Sequence, residues 1–338
     1  MKLAVDAMGG DFAPQAVLEG LALVWPELDA ATEIRLYGDD AALREGLRKH
    51  GLDAERRITV VPTSEVVGCD EAPTLAIRKK KDSSLVRAVT DVAEGRADCL
   101  LSAGSTGALL TGATLIIRRQ PGVKRPALAT LLPTKAADGR VLLLDSGANT
   151  DCKPAYLVQF ALMGSAYMER AAGVKSPRVG LLNNGAEEGK GSELTKAAHA
   201  LLKTAPLNFQ GNCEARDALS GDFDVVVADG FDGNVLLKGL EGAASLIMDM
   251  LKDGLTGSLR GRLGAALAMP ALRGVKRKMD YTEYGGAPLL GVRGGVVKAH
   301  GSSNARAFRS AMLQCARLTA SGVTQSLAEA VASMALED

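Results

Sequence analysis

The chain alternates short runs of apolar, often β-branched residues with longer segments in which apolar residues recur every three or four positions. In 225–238, three valines predict a buried strand, and Asn234 to Lys238 begin a helical pattern. A turn of Asp, Gly and Phe residues lies between them. The order strand, turn, helix repeats along the chain, so the pattern predicts an α/β fold.

Six turns rich in Gly, Asp, Asn and Ser each follow a predicted strand and open a helix. They cover 6–11, 102–107, 145–151, 183–191, 229–234 and 300–304. Glycines let backbone N–H groups approach an anion, and helix N-termini favour negative charge. One such turn is ordinary, but six are typical of a doubly wound open sheet with one composite ligand crevice.

The motifs narrow the class of ligand. None of the six turns matches the GxxxxGK[ST] phosphate loop or the dinucleotide pattern GxGxxG. This argues against ATP hydrolysis and against a Rossmann-type nicotinamide site. The predicted ligand is therefore phosphate-sized.

The composition of the chain bears on its number of domains, its possible binding partners and its cellular compartment. The 338 residues, 47% of them hydrophobic, fit one large α/β domain or two smaller ones, and no linker settles which; we expect a single domain over 1–338. A net charge of +1 and 4% aromatic residues argue against a nucleic-acid partner. Five widely spaced cysteines and the lack of a signal-peptide or membrane-spanning pattern predict free thiols and a cytoplasmic protein.

Two side chains are candidates for anion binding or acid–base chemistry. Lys190 lies between two glycines at a predicted helix start, where an ammonium group beside backbone donors would bind an oxyanion; the alternative is a solvated lysine. His300 ends a strand and opens a Gly-Ser-Ser turn, and its alternative role is a structural hydrogen bond. Cys and His do not cluster, and the turn aspartates lie in separate loops, so we predict no metal.

A basic, leucine-rich segment follows. Residues 255, 259, 263 and 267 are leucines, and 254–279 carries six cations and no acid. We predict a protruding, basic amphipathic helical hairpin over 254–280 that contacts an anionic membrane surface or an acidic protein. The alternative is a dimerisation or core-packing pair of helices.

With these loops in view, the sequence resembles the bacterial phosphate acyltransferase family known as PlsX. The matching runs are DAMGGD at 6–11, RKKKDSSL at 78–85, SAGSTGA at 102–108, DSGANTDC at 145–152, NNGAEEGKG at 183–191, ADGFDGNVLLK at 228–238, YGGAPLLG at 284–291 and HGSSNA at 300–305. They cover the chain in order. The family usually has Asn where Ser105 stands and an apolar residue where Ser146 stands, so these two contacts differ from the family pattern.

The resemblance implies a cytosolic homodimer with a three-layer α/β/α sandwich similar to isopropylmalate dehydrogenase and phosphotransacetylase. It implies no cofactor. It also implies that inorganic phosphate attacks the thioester of a long-chain acyl carrier protein, giving acyl phosphate for phosphatidic acid and phospholipid synthesis. The product would feed a membrane glycerol-3-phosphate acyltransferase, so the resemblance also implies peripheral contact with the membrane.

Within this assignment we predict three sets of residues. The catalytic residues are Lys190, His300, Asn234 and Asp229. The substrate or phosphate contacts are Asp6, Gly9, Gly10, Ser102, Gly104, Ser105, Thr106, Asn149, Asn183, Asn184, Gly185, Gly230 and Ser302. The membrane or carrier contacts are Leu259, Leu263, Arg260, Arg262, Lys276 and Arg277.

Three other functions remain open at this stage. The chain could be an acyltransferase that uses coenzyme A, as phosphotransacetylases do. It could be an NAD-dependent decarboxylating dehydrogenase, or a binding module for phosphate or an acyl carrier without catalysis.

Overall fold

The structure is a computed structural model that describes residues 1–136, 139–279 and 285–332. One eleven-stranded sheet runs through these residues. Its strands are β1 Lys2–Asp6, β2 Glu33–Gly38, β3 Ile58–Pro62, β4 Cys99–Ser102, β5 Ala127–Pro133, β6 Arg140–Leu144, β7 Arg178–Asn183, β8 Asn208–Glu214, β9 Val225–Val227, β10 Ala287–Leu290 and β11 Gly295–Lys298.

Helices connect most of the strands, and several begin at a side chain that accepts a backbone hydrogen bond. Asp39, Ser83 and Asn304 each cap a helix in this way, satisfying a donor that the first turn leaves open. The helices are α1 Gln15–Val24, α2 Asp40–Lys49, α3 Pro73–Lys79, α4 Ser84–Ala93, α5 Thr106–Gly112, α6 Pro154–Ala172, α7 Glu193–Leu202, α8 Gly230–Thr256, α9 Leu259–Met279, α10 Ala305–Ala320 and α11 Val323–Ala332.

The sheet consists of two parallel halves joined by antiparallel strands. The strand order is β3-β2-β1-β4-β11-β10-β5-β6-β9-β7-β8. The first five strands in this order are parallel to one another, as are the last four. Strand β10 is antiparallel to both of its neighbours, and β5 is antiparallel to β6. The sheet is therefore mixed.

Both faces of the sheet are buried, which confirms the predicted three-layer α/β/α architecture. Side chains alternate between the faces along a strand. In β1, Leu3 and Val5 join a hydrophobic cluster with residues of α1, α6 and α10, whereas Ala4 joins a second cluster with residues of α4 and α5. Helices thus cover each side of the strands.

The basic segment does not form the hairpin that the sequence predicts over 254–280. The chain turns at Gly257 and Ser258, and α9 is a single helix over 259–279 that packs against the preceding α8. The turn lies there because the Ser258 hydroxyl accepts a hydrogen bond from the Gly261 N–H (3.0 Å), which caps α9. The predicted side-chain contacts of Leu259, Arg260, Lys276 and Arg277 lie outside the described residues.

The first turn of α8 lies unusually close to the turn that follows β6. The Gly230 N–H donates to the Asn149 carbonyl oxygen at 2.7 Å. A Cβ atom at Gly233 would lie only 1.9 Å from the Asp145 carbonyl oxygen. Glycine is therefore required at 233 for this approach.

We expect Gly233→Ala to lower the free energy of unfolding by about 1–3 kcal/mol, because the added methyl group forces α8 away from the β6 turn. Urea unfolding measures this change. Gly239→Ala, in the same helix, is the matched control: a Cβ there meets no atom within 4 Å, so better helix propensity should stabilise by about 0.5–1 kcal/mol. If Gly233→Ala has the same free energy of unfolding as the wild type, the close approach of α8 to the turn after β6 is contradicted.

Candidate active site

A cavity of about 370 Å³ lies where the ends of β4, β6 and β11 meet the start of α8. Four of the six predicted turns contribute to its wall or to the helix beside it: 102–107, 145–151, 229–234 and 300–304. Its lining residues are Thr106, Leu128, Thr130, Leu131, Ser146, Gly147, Asn234, Leu237, Lys238, Glu241, Gly286, Ala287, Lys298, Ala299, His300 and Gly301.

Helix α8 presents one face to this cavity. Asn234, Leu237, Lys238 and Glu241 recur at intervals of three or four residues, which places them on the same side of a helix. Asp229 starts the helix instead of lining the cavity: one carboxylate oxygen accepts hydrogen bonds from two first-turn N–H groups, both at 2.9 Å. Asp229 therefore orients α8 as its cap.

The buried Asp145 carboxylate holds the turn after β6. It accepts hydrogen bonds of 2.7 to 3.2 Å from the backbone N–H groups of Leu128, Gly147, Ala148 and Asn149. Burial raises the pKa of Asp145 from its ordinary value, and the hydrogen bonds oppose this shift. These N–H groups point at the carboxylate, so they position the turn.

The predicted amide donor Asn149 is also part of this network. Its Nδ2 donates to the Pro126 carbonyl oxygen and to the Asp145 carboxylate, both at 2.8 Å. Both donors of the side-chain amide are thus used within the protein. Asn149 holds the turn to β5 in this structure.

The two positions that depart from the family pattern have different structural roles. Ser146 lines the cavity, where its hydroxyl donates to the Leu128 carbonyl oxygen (3.0 Å) and hydrogen-bonds the Thr130 hydroxyl (2.7 Å). This pair adds polar atoms to the cavity wall. Ser105 instead caps α5 by accepting from the Ala108 N–H at 3.4 Å.

The sequence reading missed Lys298, the last residue of β11. Its side chain lines the cavity although the residue is only 8% exposed, and Nζ donates to the carbonyl oxygens of Ala103 (3.3 Å) and Ala299. Burial lowers the pKa of Lys298 to about 8, and the carboxylates of Asp6 and Asp11 oppose the shift. The available signal was a lysine that directly follows apolar strand residues.

The predicted His300 lies in the cavity wall. Its Nδ1 hydrogen-bonds the Ser302 hydroxyl at 2.7 Å and accepts from the Ser302 N–H at 3.3 Å, which leaves the proton of a neutral ring on Nε2. Partial burial, followed by the nearby Lys238 ammonium, lowers the pKa of His300. The ring is therefore largely neutral at pH 7, and Ser302 sets its orientation.

A second lysine in the cavity forms an ion pair. Lys238 Nζ donates to Glu241 Oε2 at 2.8 Å. The other carboxylate oxygen, Oε1, is buried and has no hydrogen-bond partner within the part of the chain that the structure describes. Such an atom is uncommon in a folded protein.

The turns after β1 and β4 support the cavity wall from behind. The Ser102 hydroxyl donates to the buried Asp6 carboxylate at 2.7 Å, and the Gly104 N–H donates to Ser102 Oγ at 3.1 Å. Burial raises the pKa of Asp6. Gly9 packs so closely that a Cβ there would lie 2.7 Å from the Gly104 nitrogen. Of the phosphate contacts predicted in these two turns and at the start of α5, Thr106 lines the cavity.

A second cavity, of about 430 Å³, lies on another face of α8. Asp232 and Val235 line it, together with the predicted contacts Asn183 and Asn184. Lys190 is exposed on the same loop, where its carbonyl oxygen accepts from Asn183 Nδ2 at 3.2 Å. Instead of meeting in one composite crevice, the predicted turns line cavities on different faces of α8, and among the described residues the lining of the main cavity does not include Lys190.

The main cavity is equipped to hold a small anion. Lys298 and Lys238 supply positive charge, the hydroxyls of Thr106 and Thr130 and the amide of Asn234 supply donors, and Glu241 is the only acid among the described residues of its lining. Within the described residues, no group of three or more His, Cys, Asp or Glu side chains is placed to hold a metal ion. The charged donors belong to the protein itself.

Comparison with known proteins gives a consistent family. A family model described as fatty acid synthesis protein matches residues 1–326. The phosphate acyltransferase of Brevibacillus brevis is 51% identical over 326 residues, which cover 96% of each chain. That of an Exiguobacterium species is 50% identical over 315 residues, covering 93% of this chain and 94% of the relative.

Solved structures share the fold at low sequence identity. A phosphotransacetylase from Streptococcus pyogenes has a TM-score of 0.61 at 18% identity and covers 96% of this chain and 94% of its own. A branched-chain phosphotransacylase from Enterococcus faecalis has a TM-score of 0.59 at 16% identity. The match covers 94% of this chain and 99% of that protein. These similarities establish the predicted phosphotransacetylase-like fold.

We expect the affinity of the main cavity for sulfate to fall as the pH rises through about 8, because Lys298 is protonated below its pKa and neutral above it. Sulfate remains a dianion between about pH 7 and about pH 9, so calorimetric titration over this range reports on the protein. Lys298→Met should bind roughly tenfold to a hundredfold more weakly at pH 7 and lose this pH dependence.

The matched comparison for this measurement is Lys190→Ala, which removes an exposed lysine from the other side of α8. We expect this variant to keep both the affinity and the pH dependence of the wild type. An unchanged Lys298→Met variant would contradict the assignment, and an equal loss in Lys190→Ala would place Lys190 at the anion.

Proposed function

Because the chain belongs to the fatty acid synthesis protein family, and this membership confirms the resemblance in its motifs, we propose a specific transfer reaction for it. The chain is a phosphate acyltransferase by family. The proposed reaction moves a long-chain fatty acyl group from acyl carrier protein to inorganic phosphate. Its product, acyl phosphate, serves phosphatidic acid and phospholipid synthesis.

The observation that carries this proposal is the buried Lys298 in the wall of the main cavity at the strand ends. A lysine with little access to water is expensive to keep charged, so its place in a cavity wall is consistent with a bound dianion that compensates the charge. Dinucleotide motifs are missing from the sequence, and the family is one of acyltransferases. Inorganic phosphate as the acceptor of the acyl group is consistent with both the missing dinucleotide motifs and the acyltransferase family.

Phosphate is itself a nucleophile, so the reaction requires no serine or cysteine intermediate. An oxygen of phosphate forms a bond to the thioester carbonyl carbon, and collapse of the tetrahedral oxyanion expels the thiolate of the carrier. The protein must hold the dianion against the thioester and stabilise the oxyanion. We assign phosphate to Lys298 and Lys238, and the oxyanion to the Nε2–H of His300 and the Asn234 amide.

The cavity on the other face of α8 remains a predicted part of the substrate path. Asn183 and Asn184 line that cavity, Lys190 is exposed on the same loop, and none of the three is among the described residues that line the cavity containing Lys298. We therefore assign them to substrate binding away from the reacting phosphate. No cofactor takes part in the proposed reaction.

Coenzyme A is the main alternative to acyl carrier protein. The fold is shared with phosphotransacetylases, which supports acyl transfer to phosphate but does not distinguish the two thiols. The NAD-dependent dehydrogenase and the non-catalytic binding module are the two remaining alternatives. A direct product assay separates all four.

Helices α8 and α9 support a proposed peripheral membrane contact. Large apolar side chains are exposed along both helices, among them Leu246 and Met250 of α8 and Leu263 and Leu267 of α9, and Arg262 is exposed beside them. Within the described residues, no helix is long and apolar enough to cross a membrane. We propose a cytoplasmic homodimer that lies on anionic membrane and delivers acyl phosphate to a membrane glycerol-3-phosphate acyltransferase.

The proposed reaction predicts that hydroxylamine traps an acyl phosphate when the protein is mixed with acyl carrier protein thioester and phosphate. Release of the carrier thiol should depend on phosphate, and Lys298→Met should reduce kcat/KM for phosphate roughly tenfold to a hundredfold. Activity with acyl coenzyme A alone would support the alternative thiol. Nicotinamide reduction would support a dehydrogenase, and carrier binding without turnover would support a binding module.

The proposed membrane contact predicts that the protein co-sediments with anionic vesicles and less with neutral ones, and that binding weakens with salt. Leu263→Glu/Leu267→Glu should abolish sedimentation, because both side chains are exposed, by 69% and 81% respectively. Leu23→Glu/Leu75→Glu, on other exposed surfaces, is the control. A wild type that ignores anionic vesicles, with a variant that becomes monomeric, would instead make α9 a subunit interface.

A further inference from the structure

A third cavity, of about 480 Å³, combines positive charge with an apolar wall next to the active site. Within the described residues its lining contains three cations and no acid. Leucine side chains and Tyr156 form the apolar part, and Leu115 is 52% exposed. The lining residues are Leu110, Thr114, Leu115, Arg119, Lys124, Arg125, Pro126, Ala148, Asn149 and Tyr156.

The positive charge extends beyond the cavity itself. Four cations fall within 118–125, and 99–137 contains neither Asp nor Glu. Arg118, Arg119, Arg125 and Arg293 are all exposed, and the Arg293 N–H binds the Arg118 carbonyl oxygen at 3.0 Å. We call 118–125 with Arg293 the basic rim. In a chain of net charge +1, such a one-signed surface is a local feature.

Within the described residues, the arginines of the basic rim do not form ion pairs with carboxylates of the protein. None of the ion pairs within the described ranges involves Arg118, Arg119 or Arg125. By contrast, most other arginines with close partners bind Asp or Glu, as Arg178 binds Asp224 at 2.9 Å. These three arginines therefore offer charge to an external acidic group.

The backbone of the rim is held in place before any partner arrives. The buried Gln159 side chain accepts from the Lys124 N–H (2.8 Å) and donates to the Gly122 carbonyl oxygen (2.9 Å). The Gln120 N–H donates to the Gly291 carbonyl oxygen at 2.9 Å. A preorganised surface loses less conformational entropy on binding, which favours recognition by this segment.

The cavity at the rim shares its walls with the active site. Thr106 of α5 lines the active-site cavity, and Leu110 lies one helical turn further on in the basic cavity. Likewise Gly147 lines the first, and the next residue, Ala148, lines the second. The basic cavity therefore lies on the other side of a wall that α5 and the 145–149 turn share with the active-site cavity.

From these contacts we propose that the basic rim is the docking surface for the acidic acyl carrier protein, with Leu115 as its apolar anchor. This proposal rests on the proposed function, and it moves the carrier contact from α9 to 118–125. A small anion would use only the cavity, whereas the exposed arginines outside it match the extended acidic face of a protein.

The test is direct binding of acyl carrier protein to the full-length protein, measured by calorimetry at low and high salt, beside acyl phosphate formation. We expect Arg119→Glu/Arg125→Glu to weaken carrier binding and kcat/KM for acyl carrier protein about tenfold or more, and to remove most of the salt dependence. The KM for phosphate, and turnover of an acyl-pantetheine thioester that lacks the carrier protein, should not change.

Arg48→Glu/Arg56→Glu is the matched control, since both residues are exposed arginines near β3, at the far edge of the sheet. It should bind carrier as the wild type does. Wild-type binding by the rim variant would overturn the docking surface while leaving acyl transfer intact. Carrier binding that depends on the rim without acyl phosphate formation would overturn the reaction and keep the surface.

Three further outcomes would contradict the proposal that the basic rim is the docking surface for acyl carrier protein. A wild type that neither binds carrier nor forms acyl phosphate overturns both proposals. A change in the mass of the rim variant in solution makes the surface a subunit contact. Loss of vesicle binding by the same variant, with carrier binding intact, makes it a membrane contact.

Discussion

The packing of α8 against the turn after β6 determines where the functional side chains lie. Asp145 gathers four backbone N–H groups of that region onto one buried carboxylate. Gly233 then allows α8 to approach the same turn without a Cβ atom in the way. Because of this contact, one helical face of α8 closes the main cavity and another closes the second.

The buried lysine opposes the stability of the fold. The pKa of Lys298 is about 8 in the folded protein against 10.5 for the ordinary side chain. Because the folded pKa is the lower one, the penalty is fully present below pH 8, shrinks as the pH rises from 8 to 10.5, and amounts to about 3 kcal/mol. In the proposed function, a bound dianion would offset this penalty. The conflict between stability and charge is typical of sites that bind a ligand.

The positive side chains inside the main cavity and those outside it differ in their exposure to water or in their ion pairing. Inside it, Lys298 and Lys238 are shielded from water or paired, so in the proposed reaction they would act on a small ion at short range. Outside it, the arginines of the basic rim are exposed, and in the proposed docking they would act on a large partner over a range set by salt. The exposed leucines of α9 form a third surface, on which apolar contact dominates.

The sequence by itself determined the family, the α/β class and the turns, because apolar periodicity and glycine-rich motifs are local properties of the chain. It identified Thr106, Asn234 and His300, which follow strand ends and line the main cavity. Only the tertiary structure decided which turns share a cavity, since the mixed sheet and α8 separate Asn183, Asn184 and Lys190 from Lys298. Asp229 supports α8 through a local contact, as the cap of its first turn. The tertiary structure also showed that Asn149 supports the turn, because its amide donates to the Pro126 carbonyl oxygen, which folding brings close. Lys298 gained its chemistry in the same way: burial, which no local pattern measures, lowers its pKa.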